Sequence, residues 1–96
     1  MGATDAEDLT VDYMEDGKLV SKQLDKVILT KGAWSTIIFR YQDWDRRKEE
    51  NGPDKFSIRR YQKRSGEYQQ KSKINISSRD QAQKIIDALQ TWLKED

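Results

Sequence analysis

The chain has 96 residues, of which 36% are charged and 34% belong to the apolar set, and its formal net charge is +1. This length has room for one small domain, and so small a core makes dimerisation a natural source of additional buried surface. The absence of cysteine and histidine excludes disulfides, thiolate metal sites and every nucleophile arrangement that needs either residue.

The sequence also disfavours membrane attachment. The longest apolar run, Thr36–Phe39, is far below the ~20 residues that a membrane-spanning helix needs. The first residues lack the basic and apolar regions of a secretory signal. We therefore expect a cytoplasmic protein, nucleoid-associated if its source is bacterial, with no membrane partner.

No enzyme motif or metal-binding motif is found. Gly32 and Gly66 stand alone in predicted turns and do not form a phosphate-cradling loop. Asp43 and Asp45 form an isolated D-x-D pair without the glycine and the later glutamate of a calcium-binding loop. We expect a non-enzyme with no catalytic residues, no cofactor and no metal.

The charge is distributed unevenly along the chain. Residues 1–25 contain two basic and seven acidic side chains, whereas residues 26–76 contain thirteen basic and six acidic ones. Seven of the nine aromatic residues also lie in 26–76. A basic, aromatic-rich middle between more acidic ends is a specific arrangement, because a solvated surface more often mixes charges of both signs.

The chain begins with a segment that is poor in large apolar side chains. We predict that residues 1–22 form an acidic tail that is disordered or loosely attached, and we assign residues 23–96 to one folded domain. A short strand over Asp8–Tyr13 is the alternative for part of the tail.

Four runs that favour β-structure precede one helical pattern. The predicted strands are 26–31, 34–44, 55–63 and 68–76. Apolar residues then follow i, i+3, i+4 spacing from Gln81 to the terminus, with Ser77 or Ser78 as the N-cap. This order predicts an α+β fold, ββββα, in which the apolar stripe of the helix covers one face of a four-stranded antiparallel meander.

The third and fourth predicted strands each have an apolar side and a polar side. The apolar sides, which carry Phe56 and Ile74, are suited to the helix. The polar sides carry most of the cations, and their notable residues are Arg59, Tyr61, Lys63, Lys71 and Lys73.

The second predicted strand is ambiguous because both of its sides are apolar. If Ile37 and Phe39 face the helix, cations and aromatic rings alternate on the outer surface, which then gains Trp34, Arg40 and Trp44. Unpaired nucleic acid needs both, because cations neutralise phosphates and flat rings stack on exposed bases. An ordinary solvated basic face, or a dimer contact through the tryptophans, is the alternative.

The second half of the chain resembles a known family. The motifs that carry the resemblance are Phe56–Tyr61 (FSIRRY), Ser65–Glu67 (SGE), Lys71–Ser77 (KSKINIS) and the amphipathic helix that follows. In this order and spacing they are similar to the positive cofactor four family of transcriptional coactivators. Lys31–Trp34 (KGAW) and Trp44 resemble the stand-alone bacterial members more than the eukaryotic ones.

The resemblance implies a curved four-stranded sheet that dimerises through its helix and sheet edges. It also implies channels that bind single-stranded DNA with little sequence preference. Arg59 and Tyr61 match the family's third-strand arginine and aromatic residue, Lys71 matches a basic residue of the fourth strand, and Arg40 matches a second-strand arginine. Lys73 departs from the pattern, because the family has glycine there.

We therefore predict a homodimeric single-stranded DNA-binding protein that acts in transcription, replication or repair. A protein–protein interaction module or an RNA-binding domain is the alternative. The predicted nucleic-acid-binding residues are Lys31, Trp34, Arg40, Trp44, Arg59, Tyr61, Lys63, Lys71 and Lys73.

Overall fold

A computed structural model describes residues 5–95 of the chain. A short 3-10 helix over Ala6–Asp8 comes first, and one α-helix, α1 (Arg79–Leu93), comes last. The strands between them are β1 (Tyr13–Glu15), β2 (Lys18–Thr30), β3 (Trp34–Asp45), β4 (Glu50–Asn51), β5 (Lys55–Arg64) and β6 (Glu67–Ile76).

The strands form a curled antiparallel sheet. Its order is β1-β2-β3-β5-β6, and the short β4 pairs with the end of β3. The predicted α+β architecture, an antiparallel sheet with one C-terminal helix, is confirmed. The sheet has six strands rather than the four that the sequence predicted.

The additional strands come partly from the region that we predicted as a disordered tail. β1 and the first half of β2 form a hairpin closed by Asp16 and Gly17, whose φ values of 50° and 77° are both positive. This two-residue turn matches the twist of the strands that it joins. The prediction of disorder over residues 1–22 is therefore corrected for residues 5–22, while residues 1–4 lie outside the described part.

A second hairpin positions the basic half of the sheet. β5 and β6 pair from Phe56–Ile76 to Arg64–Glu67. Ser65 and Gly66 close the hairpin with φ values of 52° and 80°, so the turn predicted there is confirmed.

One side of the sheet, which we call the segment face, is covered by the N-terminal segment. Here Ala6, Leu9 and Val11 form a buried cluster with side chains of β3 and β5, namely Ile37, Phe39 and Tyr61. Phe39 and Ile37 are fully buried, and each contributes roughly 1.5–3 kcal/mol to folding through burial. The core of the described chain therefore lies between the sheet and the N-terminal segment.

The opposite side, which we call the ladder face, carries a row of branched apolar side chains across four strands. The register pairs Val27 with Ile38, Ile38 with Ile58, and Ile58 with Ile74. Val27 and Ile74, at the two ends of the row, are 55% and 63% exposed. This row, which we call the ladder, is thus an apolar surface that the single chain leaves in contact with solvent.

Helix α1 begins at its predicted N-cap but does not cover the sheet. Ser78 Oγ accepts a hydrogen bond from the Gln81 backbone N–H, and Gln81 Oε1 accepts one from the Ser77 N–H, which together cap the first turn. Apart from the half-buried Ala82 and Ile85, the described helix residues are exposed. The prediction that the helix stripe covers one face of its own sheet is therefore wrong.

The described residues contain no helix with both the length and the hydropathy needed to span a bilayer.

Candidate nucleic-acid interface

The β5–β6 hairpin concentrates positive charge. Between Lys55 and Ile76 the sequence has seven basic side chains and one acidic side chain, Glu67. Arg59 on β5 and Lys73 on β6 are direct cross-strand partners. Both therefore project from the segment face, since side chains at paired positions lie on the same side of a sheet.

Lys71 lies beside this pair, at an irregular point in the backbone pairing of β5 with β6. The register passes from Arg60–Ser72 to Tyr61–Gln70, so Lys71 is the extra residue of a β-bulge. Bulges twist a strand and redirect its side chains. Lys71 and Lys73 are both exposed.

Arg59 is oriented by uncharged partners. Its Nε donates to Ser57 Oγ at 3.1 Å, and its Nη1 donates to Gln70 Oε1 at 3.2 Å. The Ser57 hydroxyl in turn donates to Asn75 Oδ1 at 2.9 Å. Within residues 5–95 no carboxylate pairs with Arg59, Lys63, Lys71 or Lys73, so their charge is available to an anion.

Ser57 joins the two strands beneath the arginine, which gives a test of this network. Its side chain is fully buried, so replacing it with alanine leaves Arg59 Nε and Asn75 Oδ1 without their partner. We expect Ser57→Ala to lower the free energy of unfolding by about 1–2 kcal/mol, as measured by urea denaturation. Ser72→Ala, at an exposed position of β6, is the matched control, and equal stability of the two variants would contradict the network.

Tyr61 is on the same face but is not open to a ligand. It is only 5% exposed, because it belongs to the cluster formed with the N-terminal segment. Burial raises the pKa of its hydroxyl, and the nearby Arg59 partly opposes that change. The predicted stacking of Tyr61 on a base therefore requires the covering segment to move.

Two further predicted cations lie at the end of the segment face where β2 and β5 finish. Lys63 Nζ sits over the Tyr68 ring, 5.4 Å from its centroid. Lys31 Nζ lies 3.7 Å from Asp5 Oδ1 and 3.8 Å from Glu7 Oε1. Lys31 is thus already paired with carboxylates of the chain itself.

The Asp5 carboxylate is stabilised in its charged form. The backbone N–H of Glu7 and then the Lys31 ammonium hold the pKa of Asp5 below its usual value. Because the pKa is lowered in the folded chain, this contribution to stability is present above the unfolded-state pKa. It is lost as the pH falls through the folded-state pKa.

The remaining predicted residues project from the ladder face. Arg40 pairs with Phe56 in the register, opposite to the side of Phe39 and Ser57. Trp34 and Trp44 share the side of Arg40, since all three occupy even positions of β3. The expectation that one outer surface unites all predicted residues is therefore wrong: Arg59, Tyr61, Lys63 and Lys73 are together, and Trp34, Arg40 and Trp44 are on the reverse.

The ladder-face residues have partners of their own. The Arg60 guanidinium lies over the Trp34 ring, 4.7 Å from its centroid, and Lys18 Nζ lies 3.5 Å from the Trp44 centroid. Arg40 approaches Asp54 at 3.9 Å. Sequence reasoning missed Arg60, although the register makes it a diagonal neighbour of Trp34, a position from which long side chains reach a ring.

Comparisons of the chain with protein-family models, with curated proteins and with solved structures gave no match.

Proposed function

We propose that this chain binds single-stranded DNA with little sequence preference, through the β5–β6 half of the segment face. The observation that supports this most strongly is the Arg59–Lys73 pair, which shares one face of the sheet and meets no carboxylate within residues 5–95. A face of this kind attracts phosphates, and the release of their counterions favours binding. RNA is the alternative ligand, because none of these contacts distinguishes the two sugars.

The residues along the proposed path of the nucleic-acid strand have distinct roles. Arg59, Lys71 and Lys73 bind phosphates, while Gln70 and Asn75 offer polar groups to bases or sugars. At the end of the sheet, the Lys63 backbone N–H donates to Ala33 O at 2.7 Å, which places the turn before β3 beside Lys63. Trp34 begins β3 on the ladder face and is 43% exposed, so only a strand that continues around this end of the sheet can stack a base on it.

The proposed functional unit is a homodimer. The exposed ladder and the exposed apolar stripe of α1 form two surfaces that a second copy of the chain would bury. Dimerisation through them leaves both segment faces directed away from the contact. The proposed roles are in transcription, replication or repair, and the proposed location is cytoplasmic, with nucleoid association if the source is bacterial.

Salt dependence tests the electrostatic part of the proposal. If each site contacts about four phosphates, raising the salt concentration from about 50 to about 200 mM should weaken binding roughly fiftyfold. The measurement is fluorescence anisotropy with a labelled single-stranded oligonucleotide, repeated with its duplex, whose bases are not open to stacking. Equal affinity for both forms, or a flat salt response, would contradict single-strand binding through this face.

A protein–protein interaction module is the second candidate. It is favoured by the N-terminal segment itself, which shows that the segment face accepts an acidic peptide with apolar anchors at Ala6, Leu9 and Val11. In that case the chain binds no oligonucleotide at any salt concentration. The same anisotropy titration therefore separates the two functions.

A further inference from the structure

The N-terminal segment, residues 5–12, crosses the β2–β3 half of the segment face. Ala6 is fully buried, Leu9 is 9% exposed and Val11 is 6% exposed. The carboxylate-bearing residues between and before them, Asp5, Glu7 and Asp8, are exposed. The segment is therefore two-sided, with small apolar anchors directed at the sheet and negative charge directed at solvent.

Its polar contacts occupy the cations of that half of the face. Lys26 Nζ donates to three backbone carbonyl oxygens of the segment, those of Ala6, Glu7 and Leu9, at 3.2, 2.5 and 2.7 Å. Lys31 pairs with both Asp5 and Glu7. An acidic stretch of the chain thus holds two ammonium groups that lie on the same face as Arg59 and Lys73.

Side chains make the hydrogen bonds that hold the segment on the sheet. Gln23 Oε1 accepts from the Val11 backbone N–H at 3.2 Å and from the Thr10 hydroxyl at 2.7 Å. The backbone–backbone hydrogen bonds of residues 5–11 are local, from Asp8 to Asp5 and from Leu9 to Ala6. A segment that has no backbone hydrogen bonds to a neighbouring strand can detach more readily than a paired strand, because fewer cooperative contacts must break.

From these contacts we infer that residues 5–12 are an autoinhibitory strap, which competes with single-stranded nucleic acid for the segment face. The inference rests on the proposed function, since the competitor is its ligand. With the strap in place, a polyanion meets carboxylates over the β2–β3 half and cannot reach Tyr61. When the strap detaches, Lys26, Lys31 and Tyr61 join Arg59 and Lys73 in one surface.

Removing the two carboxylates that pair with Lys31 should favour the open state, in which the strap has detached from the sheet. We expect Asp5→Asn with Glu7→Gln to tighten binding of a labelled single-stranded oligonucleotide by about twofold to tenfold, the range expected for two exposed ion pairs. The matched control, Glu49→Gln with Glu50→Gln, removes the same charge from the exposed turn before β4 and from the first residue of β4, where neither carboxylate has an ion pair within residues 5–95. Equal tightening in both variants would show a general charge effect and overturn the strap.

Hydrogen exchange in the unaltered full chain measures detachment of the strap directly. Saturation with the oligonucleotide should speed exchange of the Val11 amide at least severalfold, because its bond to Gln23 breaks. Binding that leaves the Val11 amide as protected as in the free chain overturns the strap but not the proposed function. Failure of the unaltered chain and of both variants to bind any oligonucleotide overturns the two together.

Discussion

Exchanging both Lys71 and Lys73 for glutamate is expected to weaken binding of single-stranded DNA by at least about a hundredfold, which is a loss of ~2.7 kcal/mol. Each exchange removes one cation from the proposed path of the phosphates and adds a repulsive carboxylate. Lys73 is the cross-strand partner of Arg59, and Lys71 lies two residues away in the adjoining bulge, so the altered charges act where the strand is proposed to run. The measurement is the dissociation constant from fluorescence anisotropy at low salt.

The fold should not change in this variant. Both lysines are exposed and neither has an ion pair within the described part of the chain, and exposed substitutions usually alter stability by less than about 0.5 kcal/mol. Circular dichroism and the thermal midpoint check this. Lys22→Glu with Lys48→Glu is the matched control, because it makes the same change of net charge at two other exposed positions.

The comparison with the control decides where the site lies. A loss confined to the Lys71 and Lys73 variant supports the β5–β6 half of the segment face. An equal loss in both variants means that binding follows net charge alone. Unchanged binding in the Lys71 and Lys73 variant would place the site elsewhere on the molecule.

The shared face of Arg59 and Lys73 could be predicted from the sequence, because apolar and polar residues alternate over Phe56–Arg59 and over Lys73–Ile76. The bulge at Lys71 could not be predicted, and neither could the burial of Tyr61 on the predicted polar side. β3 could not be placed in the same way. Ile37 and Phe39 are buried under the N-terminal segment, while Ile38 belongs to the exposed ladder. A strand with apolar side chains on both sides carries no periodic signal of which side meets the core.

The N-terminal segment was missed for a related reason. Ala6, Leu9 and Val11 are spaced three and then two residues apart within an acidic stretch, which matches neither the helical nor the strand period. Composition therefore indicated disorder, although these residues supply half of the six-member buried cluster. Their burial depends on contacts with residues distant in the chain, which local patterns do not encode.

Helix α1 shows the opposite case, in which the pattern was clear but its partner was not. The spacing of Ala82, Ile85, Ile86, Leu89 and Trp92 correctly predicted a helix with one apolar stripe. The periodicity indicates that the apolar stripe packs against another surface. It does not indicate whether that surface belongs to the same sheet or to a second chain. In the single chain, Leu89 is 50% exposed and Trp92 is 66% exposed.

These exposures lead to the second large expected effect, which concerns the homodimer. Replacing both Leu89 and Trp92 with alanine truncates four interface side chains per dimer, and buried aromatic and aliphatic anchors dominate the energy of such contacts. We expect the dimer to weaken by about a thousandfold or more. Sedimentation velocity at micromolar concentration should then show the mass of one chain where the unaltered protein shows twice that mass.

The monomeric fold should survive these substitutions, because both side chains are largely exposed in the single chain and alanine favours helix. Lys84→Ala with Thr91→Ala, on the polar side of the same helix, is the control, and it should leave the dimer intact. A dimer that persists in the Leu89 and Trp92 variant would place the contact away from α1. A single-chain mass for the unaltered protein would mean that the stripe and the ladder serve some other partner, and the proposed homodimer would be wrong.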